Sequence, residues 1–216
     1  MKKLHLGCGQ RYFDGYVNID YPLTEHSVQQ NTVADEFHNL LEMRYPGGTI
    51  DEVRLHHVFE HFTRGQACAL LASWNSWLSA DGVVHIEVPD FGRTAKAVLG
   101  TFSSNRAKYV GLRHIFGSQE AHWAVHYEGY TKNSLGEMLG RFGFKISSIK
   151  QERYKDTYNL IVIAKKAKAL STAEAEIAAT DHLRQYMVDD SASEQVLLAV
   201  WLAEFSAQLA KTRAAV

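Results

Sequence analysis

The feature that most constrains this chain is a pair of short strand-forming runs joined by a glycine turn. The first run, residues 4–6, stops at Gly7-Cys8-Gly9, and the second alternates in polarity and ends in Asp20. Glycines let a backbone turn tightly and approach a ligand closely. The carboxyl ends of strands in an open α/β sheet face the ligand-binding crevice. The order strand, glycine turn, strand and acid therefore predicts an α/β fold with its ligand at this loop.

The same segment argues against one common alternative. A dinucleotide-binding fingerprint needs a further glycine three residues after Gly9, and that position is Tyr12. An NAD-dependent enzyme is therefore not indicated. Only residues 10–16 separate the two runs, and this link is too short for a crossover helix. We expect it to be a loop or a single helical turn.

Further strand and helix signals follow along the chain. Thr63 with Gln66 resembles a capping box and opens a helical run. The other predicted elements are strands over residues 50–57, 83–88, 145–154 and 158–164 and a helix over residues 135–142. The short link between the last two strands predicts an antiparallel hairpin at the sheet edge. Strands that alternate with helices imply a doubly wound, mostly parallel α/β sheet of about seven strands, which is a Rossmann-like architecture.

The tail has a different character. We divide the chain into a domain of residues 1–168 and a helical extension of residues 169–216. Two capping-box patterns begin helices there, at Ser171 with Glu174 and at Ser191 with Glu194. In the second helix, four apolar residues recur every four positions, namely Leu197, Trp201, Phe205 and Leu209. This apolar stripe is explained either by packing on the domain or by a homodimer formed through the C-terminal helices.

Composition limits the class of protein and partner. The 216 residues are 46% hydrophobic and 22% charged, which is ordinary for a globular α/β domain. The formal net charge is −1, so no basic field indicates a nucleic acid or an anionic membrane as partner. No apolar run approaches the length of a membrane span. The two cysteines, Cys8 and Cys68, fit a reducing compartment, and we expect a cytoplasmic protein.

Several segments, taken in order, resemble a known family. They are residues 5–9, 14–20, 51–53, 57–62, 78–82 and 87–91. Together they resemble the class I S-adenosylmethionine-dependent methyltransferases associated with polysaccharide biosynthesis, and the resemblance covers residues 1–165. One departure lies at residues 80–82, where Ala-Asp-Gly stands in place of the usual Pro-Gly-Gly. The resemblance implies S-adenosylmethionine as cofactor and methyl transfer as the activity.

The resemblance also implies roles for single residues at the cofactor. It places Gly7, Cys8 and Gly9 against the methionine part of S-adenosylmethionine and Asp20 at its ribose. A carboxylate suits that position because it can accept hydrogen bonds from two ribose hydroxyls. We also count His57, at the end of the strand over residues 50–57, with the cofactor-binding residues.

The resemblance further implies an adenine-reading residue about a dozen residues before the acid of the strand over residues 50–57, which is here Asp51. Counting back from Asp51 selects Asn39, with Asp35 as the second candidate. An Asn oxygen can accept a hydrogen bond from the adenine amino group. The alternative interpretation of Asn39 is a turn residue.

The segment His57-Val58-Phe59-Glu60-His61 allows three interpretations. It matches the His-x-x-Glu-His of a metal-dependent hydrolase, which needs both histidines on one face of a continuous helix. It is similar to the Glu-x-x-Glu-His that binds a divalent metal in some quinone-pathway and small-RNA methyltransferases. In the third interpretation Glu60 and His61 only orient the loop. Because the residues before His57 alternate like a strand, a continuous helix is not indicated, and we predict no resident metal.

The acceptor side is predicted from a second histidine-rich segment, residues 114–127. Its aromatic residues suit a sugar or another hydroxylated ring, and a histidine suits a general base at neutral pH. We predict His61, His126 and Asp90 as base candidates, in that order. The family setting implies O-methylation of a small molecule or a sugar or glycan intermediate. A non-catalytic S-adenosylmethionine-binding module, with the C-terminal helices as its partner surface, is the remaining alternative.

Overall fold

The computed structural model describes residues 2–22, 24 and 31–213. The strands of this part of the chain are β1 (Lys3–Leu6), β2 (Val17–Asp20), β3 (Glu36–Phe37), β4 (Ile50–His56), β5 (Leu78–Pro89), β6 (Phe144–Tyr154) and β7 (Thr157–Lys166). They form one sheet in the order β3-β2-β1-β4-β5-β7-β6. Strands β1 to β5 pair in parallel, whereas β7 runs antiparallel to both β5 and β6. The predicted mostly parallel α/β sheet with an antiparallel edge hairpin is confirmed.

The helices of the described residues are α1 (Arg64–Trp77), α2 (Phe91–Leu99), α3 (Asn105–Phe116), α4 (Lys132–Arg141), α5 (Thr172–Leu183) and α6 (Ala192–Thr212). Short 3-10 turns lie at Phe59–His61 and Arg184–Tyr186. Thr63 and Gln66 form the predicted capping box at α1. At α6, the Ser191 side chain caps the helix, but the capping box is incomplete. The Glu194 carboxylate accepts a hydrogen bond from the Val188 amide and not from the Ser191 amide. No helix in this part of the chain combines the length and apolar character needed to cross a bilayer.

The link between β1 and β2 contains no helix, as predicted from its length. The loop folds back onto the second strand, because the Cys8 amide donates to the Ile19 carbonyl at 3.0 Å. The buried Asn18 side chain accepts from the Phe13 amide at 3.0 Å and donates to the Phe13 carbonyl at 3.1 Å. These contacts bring the glycine turn directly over the end of β2.

Helix α1 lies at the centre of the molecule. Eleven of its fourteen residues are buried, so the helix is covered nearly all round. One side joins the apolar face of the sheet in a continuous core that includes Leu55, Val84 and Val162. The other side is covered by α5 and α6, whose residues Leu183 and Phe205 are fully buried. The C-terminal extension is therefore a third layer that packs on α1.

The face that α6 buries differs from the predicted stripe. Phe205 and Leu209 are buried as expected, but Leu197 is 38% exposed and Leu198 is buried instead. Leu198 and Phe205 are seven residues apart and lie about 20° from each other around the helix, whereas Leu197 lies about 80° from Phe205. A spacing of four residues therefore winds gradually around the helix. This face packs within the chain, which supports the first of the two sequence interpretations.

Candidate active-site cleft

A cleft of about 510 Å³ opens at the carboxyl ends of the parallel strands. Six of the predicted site residues line it, namely Gly7, Gly9, Asp20, Asn39, His57 and His61. They come from the ends of β1, β2, β3 and β4, where an open α/β sheet presents ligand-binding groups. The sequence therefore predicted the place of the cleft and most of one wall.

The glycine turn has a backbone that other residues adopt only with strain. Gly7 and Gly9 have φ angles of +66° and +56°. A Cβ atom on Gly7 would lie 2.3 Å from Cγ2 of Val58, which follows β4. Both the backbone angle and the close approach of Val58 therefore require glycine at position 7.

Replacing Gly7 is expected to damage both stability and ligand binding. Gly7→Ala and the matched control Gly15→Ala share a left-handed backbone, which costs roughly 1–2 kcal/mol for a residue with a side chain. A Cβ on Gly15 meets no atom of the described residues within 4 Å, so its variant should show that strain alone. We expect Gly7→Ala to be less stable than Gly15→Ala and to lose affinity for the cleft ligand. Equal melting temperatures and equal ligand affinities of the two variants would show that the Val58 contact has no role.

Asp20 holds the glycine turn in place. Its Oδ2 accepts from the Gly9 amide at 3.1 Å and from the Thr32 hydroxyl at 3.2 Å, and its Oδ1 accepts from the Tyr21 amide at 2.9 Å. The residue is only 5% exposed, yet it lines the cleft. A carboxylate offers about four acceptor positions, enough to hold the loop and a ligand hydroxyl together.

Cys8 does not reach the cleft, which corrects its predicted role against the cofactor. Its side chain is buried, and its thiol lies near the Gly9 carbonyl and the Thr32 hydroxyl. Burial and then the negative charge of Asp20 raise the pKa of the Cys8 thiol to about 11. Since the Cys8 amide is bonded to Ile19, the residue packs the turn against β2 and is not among the described residues that line the cleft.

The two candidates for the adenine position behave differently. Asn39 lines the cleft, but its Oδ1 accepts from the Leu41 amide at 3.0 Å, so the oxygen proposed to read adenine caps a local turn. The side-chain amide is the remaining donor of Asn39. Asp35 is bonded to the main chain and side chain of Asn18 at 2.8 and 3.0 Å and is not among the lining residues of the described part of the cleft. Asp35 therefore has a structural role in joining β2 and β3.

The segment after β4 is not a continuous helix. The strand ends at His56, His57 has a left-handed φ of +55°, and a 3-10 turn follows over Phe59–His61. The two histidines of His-x-x-Glu-His therefore do not share one helix face. This excludes the geometry of the hydrolase motif and confirms the strand-then-loop interpretation.

His57 lies between two carboxylates. Its Nδ1 is 3.3 Å from Oε1 of Glu60, and its Nε2 is 3.6 Å from Oε1 of Glu87. Burial lowers the pKa of His57, but the contacts with these carboxylates outweigh burial and raise the pKa to about 9. At neutral pH the imidazole is therefore protonated, and it acts as a cation between two anions and not as a proton acceptor.

Glu60, His61 and His126 converge beside the cleft. Glu60 is 1% exposed, and neither of its carboxylate oxygens accepts a hydrogen bond of good geometry from the described residues. The rings of His61 and His126 contact each other edge to face, with centroids 4.7 Å apart. Nε2 of His126 lies 3.9 Å from Oε1 of Glu60. Burial lowers the pKa of His126, which favours its neutral form.

Asp90 is not a base in the cleft, which corrects the third of the predicted candidates. The residue is 2% exposed and caps α2, because its Oδ1 accepts from the Arg93 amide at 3.0 Å. Its Oδ2 accepts from the Gln151 side chain at 2.6 Å. Asp90 follows a strand, as a ligand-binding acid does, but it fixes the start of a helix and has no access to the cleft.

The loop between α3 and α4 forms the far wall of the cleft. His122, Trp123 and Tyr127 line it, as the aromatic-rich segment predicted, and the Tyr127 amide donates to the Glu60 carbonyl at 2.9 Å. His126 is absent from this lining and points to Glu60 instead. Six further lining residues were not predicted from the sequence, namely Tyr21, Leu40, Leu41, Val58, Phe62 and Gln66. The signal for them is only their position, just after Asp20, Asn39, His57 and His61 or in the first turn of α1.

Comparison with solved structures identifies the fold. The 1,6-didemethyltoxoflavin-N1-methyltransferase of Burkholderia thailandensis, solved with S-adenosylhomocysteine, is similar over 77% of this chain and 71% of its own, with a TM-score of 0.52 and 17% identity. The complex of the Haloferax volcanii Trm112 methyltransferase activator with a methyltransferase contains a chain similar over 79% of this chain and 83% of its own, with a TM-score of 0.54 and 12% identity. No protein-family model and no curated protein matches the sequence. At these identities, the likeness shows that the chain has the methyltransferase fold.

Proposed function

We propose that this protein is an S-adenosylmethionine-dependent methyltransferase. The observation that supports this most strongly is the shared cleft of Gly7, Gly9 and Asp20 at the carboxyl ends of β1 and β2. The left-handed glycines form a tight turn in which Val58 leaves no room for a Cβ on Gly7, and the buried carboxylate of Asp20 borders this turn. A ligand with a polar amino-acid end and a ribose fits such a site.

Each part of the cleft has a proposed task. The glycine turn receives the methionine part of the cofactor, and Asp20 accepts hydrogen bonds from the ribose hydroxyls. The Asn39 amide and the neighbouring backbone border the adenine, with the Asn39 oxygen committed to the Leu41 amide. When bound, S-adenosylmethionine supplies an electrophilic methyl group. The chain aligns this cofactor with an acceptor held by the loop between α3 and α4.

The acceptor is proposed to be a hydroxyl of a small molecule or of a sugar or glycan intermediate. Trp123 and Tyr127 offer aromatic faces with polar handles at the far wall, which suit hydroxylated rings. His61 lines the cleft and is the base candidate that faces this acceptor side. Both cysteines are free and buried, which fits activity in the reducing cytoplasm.

The proposed function predicts cofactor binding before any acceptor is known. Calorimetric titration should show S-adenosylmethionine and S-adenosylhomocysteine binding in the micromolar range, about −8 kcal/mol. Methyl-labelled cofactor incubated with a panel of sugars, phenols and other hydroxylated compounds should then transfer label to at least one acceptor. Absence of binding at millimolar cofactor would refute the proposal. Binding without transfer across a broad panel would favour a non-catalytic binding module instead.

A further inference from the structure

The carboxylate of Glu60 is buried next to His61, which lines the cleft, and close to His126 in the loop between α3 and α4. A buried carboxylate is costly unless it is paired and hydrogen-bonded. Glu60 is 1% exposed and has the imidazole of His57 at 3.3 Å, but no hydrogen-bond donor of the described residues is aligned with either oxygen. The side chain is therefore a strong acceptor that the surrounding protein leaves largely unused.

Two imidazoles beside this carboxylate are fixed in the same tautomer. Nδ1 of His61 contacts the Val125 carbonyl at 3.1 Å, and Nδ1 of His126 contacts the His114 carbonyl at 3.1 Å. A carbonyl can only accept, so each Nδ1 must carry the proton. When these histidines are neutral, each Nε2 has a free lone pair. Metal-binding histidines are held in this way, with the second ring nitrogen donating to a carbonyl or carboxylate.

We propose that Glu60, His61 and His126 bind one divalent transition-metal cation beside the cleft. One donor atom from each of these residues lies within 4.8 Å of the other two. Donors that are each about 2.1 Å from one cation lie about 3.4 Å apart at tetrahedral angles. The donor atoms of the cluster must therefore move closer by up to roughly 1.4 Å when a cation binds.

The donor set selects the class of cation. Two imidazole nitrogens and one carboxylate suit Mn²⁺, Fe²⁺, Co²⁺ or Zn²⁺ better than Mg²⁺ or Ca²⁺, which prefer oxygen ligands. His57 does not belong to the set, because both of its ring nitrogens are directed at the carboxylates of Glu60 and Glu87. His57 instead contacts Oε1 of Glu60, the oxygen that also lies nearest to His126, and orients this carboxylate. The proposed ligands thus differ from the set of His57, Glu60 and His61 that the sequence pattern indicates.

The site would act on the acceptor if the proposed methyltransferase function holds. His61 belongs both to the donor cluster and to the lining of the cleft, so the cation would lie at the acceptor wall. A divalent cation there lowers the pKa of an acceptor hydroxyl and orients its oxygen. This consequence rests on the proposed function, whereas cation binding itself rests only on the geometry of the three side chains.

The test is cation binding by the untagged full chain without S-adenosylmethionine. After treatment with a chelator and dialysis, titration with Co²⁺ should give visible absorption bands at a stoichiometry of one. Calorimetry with Mn²⁺ or Zn²⁺ should show one site with a Kd well below millimolar. His61→Ala and His126→Ala should each weaken binding at least tenfold, or about 1.4 kcal/mol. His122→Ala removes an imidazole from the same cleft but outside the cluster, and it should bind the cations as the unmodified chain does.

The melting temperature and circular dichroism of each variant show whether it folds. If the unmodified chain binds none of these cations below millimolar concentration, the proposal is wrong. It is also wrong if well-folded His61→Ala and His126→Ala bind as tightly as the His122→Ala control. Cofactor titration of the metal-free chain separates the two proposals, because S-adenosylmethionine binding without cation binding would leave the methyltransferase function intact.

Discussion

Deleting everything after residue 168 is expected to leave a chain that does not fold into soluble protein. Helix α1 is covered by the sheet on one side and by α5 and α6 on the other, so the deletion exposes apolar surface in the middle of the molecule. Burying one large apolar side chain contributes about 1.5–3 kcal/mol, and the extension buries several, including Leu183, Leu198, Phe205 and Leu209. Their sum is comparable with a whole domain's stability of about 5–15 kcal/mol.

Polar contacts across the same interface add to the expected loss. The Ser73 and Thr212 hydroxyls are hydrogen-bonded at 2.6 Å in a buried position, and the Asn75 side chain accepts from the Leu170 amide at 3.0 Å. The Gln208 side chain donates to the carbonyl of Leu41, a residue that lines the cleft. Removal of the extension therefore leaves buried polar groups unpaired and takes away a support of the cleft wall.

Solubility, circular dichroism and thermal unfolding of the truncated chain measure this effect. Two substitutions in the full chain test whether α6 contributes to the stability that the deletion removes. Phe205→Ala, at a fully buried position, should cost about 3–5 kcal/mol, whereas Val200→Ala, at a position 59% exposed, should stay within about 0.5 kcal/mol. A truncated chain that keeps the melting temperature, oligomeric state and cofactor affinity of the full one would show that the extension is dispensable.

Asp20→Ala is expected to weaken S-adenosylmethionine binding at least tenfold, or about 1.4 kcal/mol. The substitution removes the proposed hydrogen bonds to the ribose and also the acceptor that holds the Gly9 amide and the Thr32 hydroxyl. Charge-assisted hydrogen bonds contribute about 1.5–3 kcal/mol each, and an unpaired buried donor adds a penalty. The loss of affinity should therefore exceed what a single neutral hydrogen bond explains.

Two further variants separate ligand contact from loop support. Asp20→Asn keeps one side-chain oxygen and should bind the cofactor more tightly than Asp20→Ala. Asp35→Asn changes a carboxylate that is bonded to Asn18 and does not line the cleft, so it should lower stability but leave cofactor affinity within a few-fold. Calorimetry showing the unmodified chain and Asp20→Ala to be equal would remove Asp20 from the cofactor site.

The sequence predicted the fold well because the signals for its elements are local. The capping boxes at Thr63 and Ser171, the alternating runs and the two glycines each depend on neighbours a few residues away. The cleft followed from the same signals, since the ends of adjacent parallel strands meet at one edge of a sheet. The sequence therefore predicts that Gly7, Gly9 and Asp20 lie close together.

Local sequence signals did not predict a residue's role correctly where one pattern is compatible with two roles. An acid after a strand can border a ligand cleft or cap the next helix, and Asp20 does the first while Asp90 does the second. Apolar residues at every fourth position predict one helix face, but such a series winds gradually around the helix axis, and in α6 Leu198 and not Leu197 is buried. Which side of α6 is buried depends on its packing against another element, α1.

Short segments of the sequence predicted six of the seven described strands, the starts of α1, α5 and α6, the glycine turn and the acid that borders it, because backbone angles and periodicity are local properties. The two-residue strand β3 and the helices α2 and α3 were not predicted. Only the tertiary structure brought His126 to Glu60 and His61, placed His57 between two carboxylates and laid α6 on α1. These contacts join residues that are far apart along the chain, and their geometry is set by how whole elements pack. The role of a titratable group depends on that packing, since burial and neighbouring charges set its pKa and therefore whether it is protonated and what it can bind.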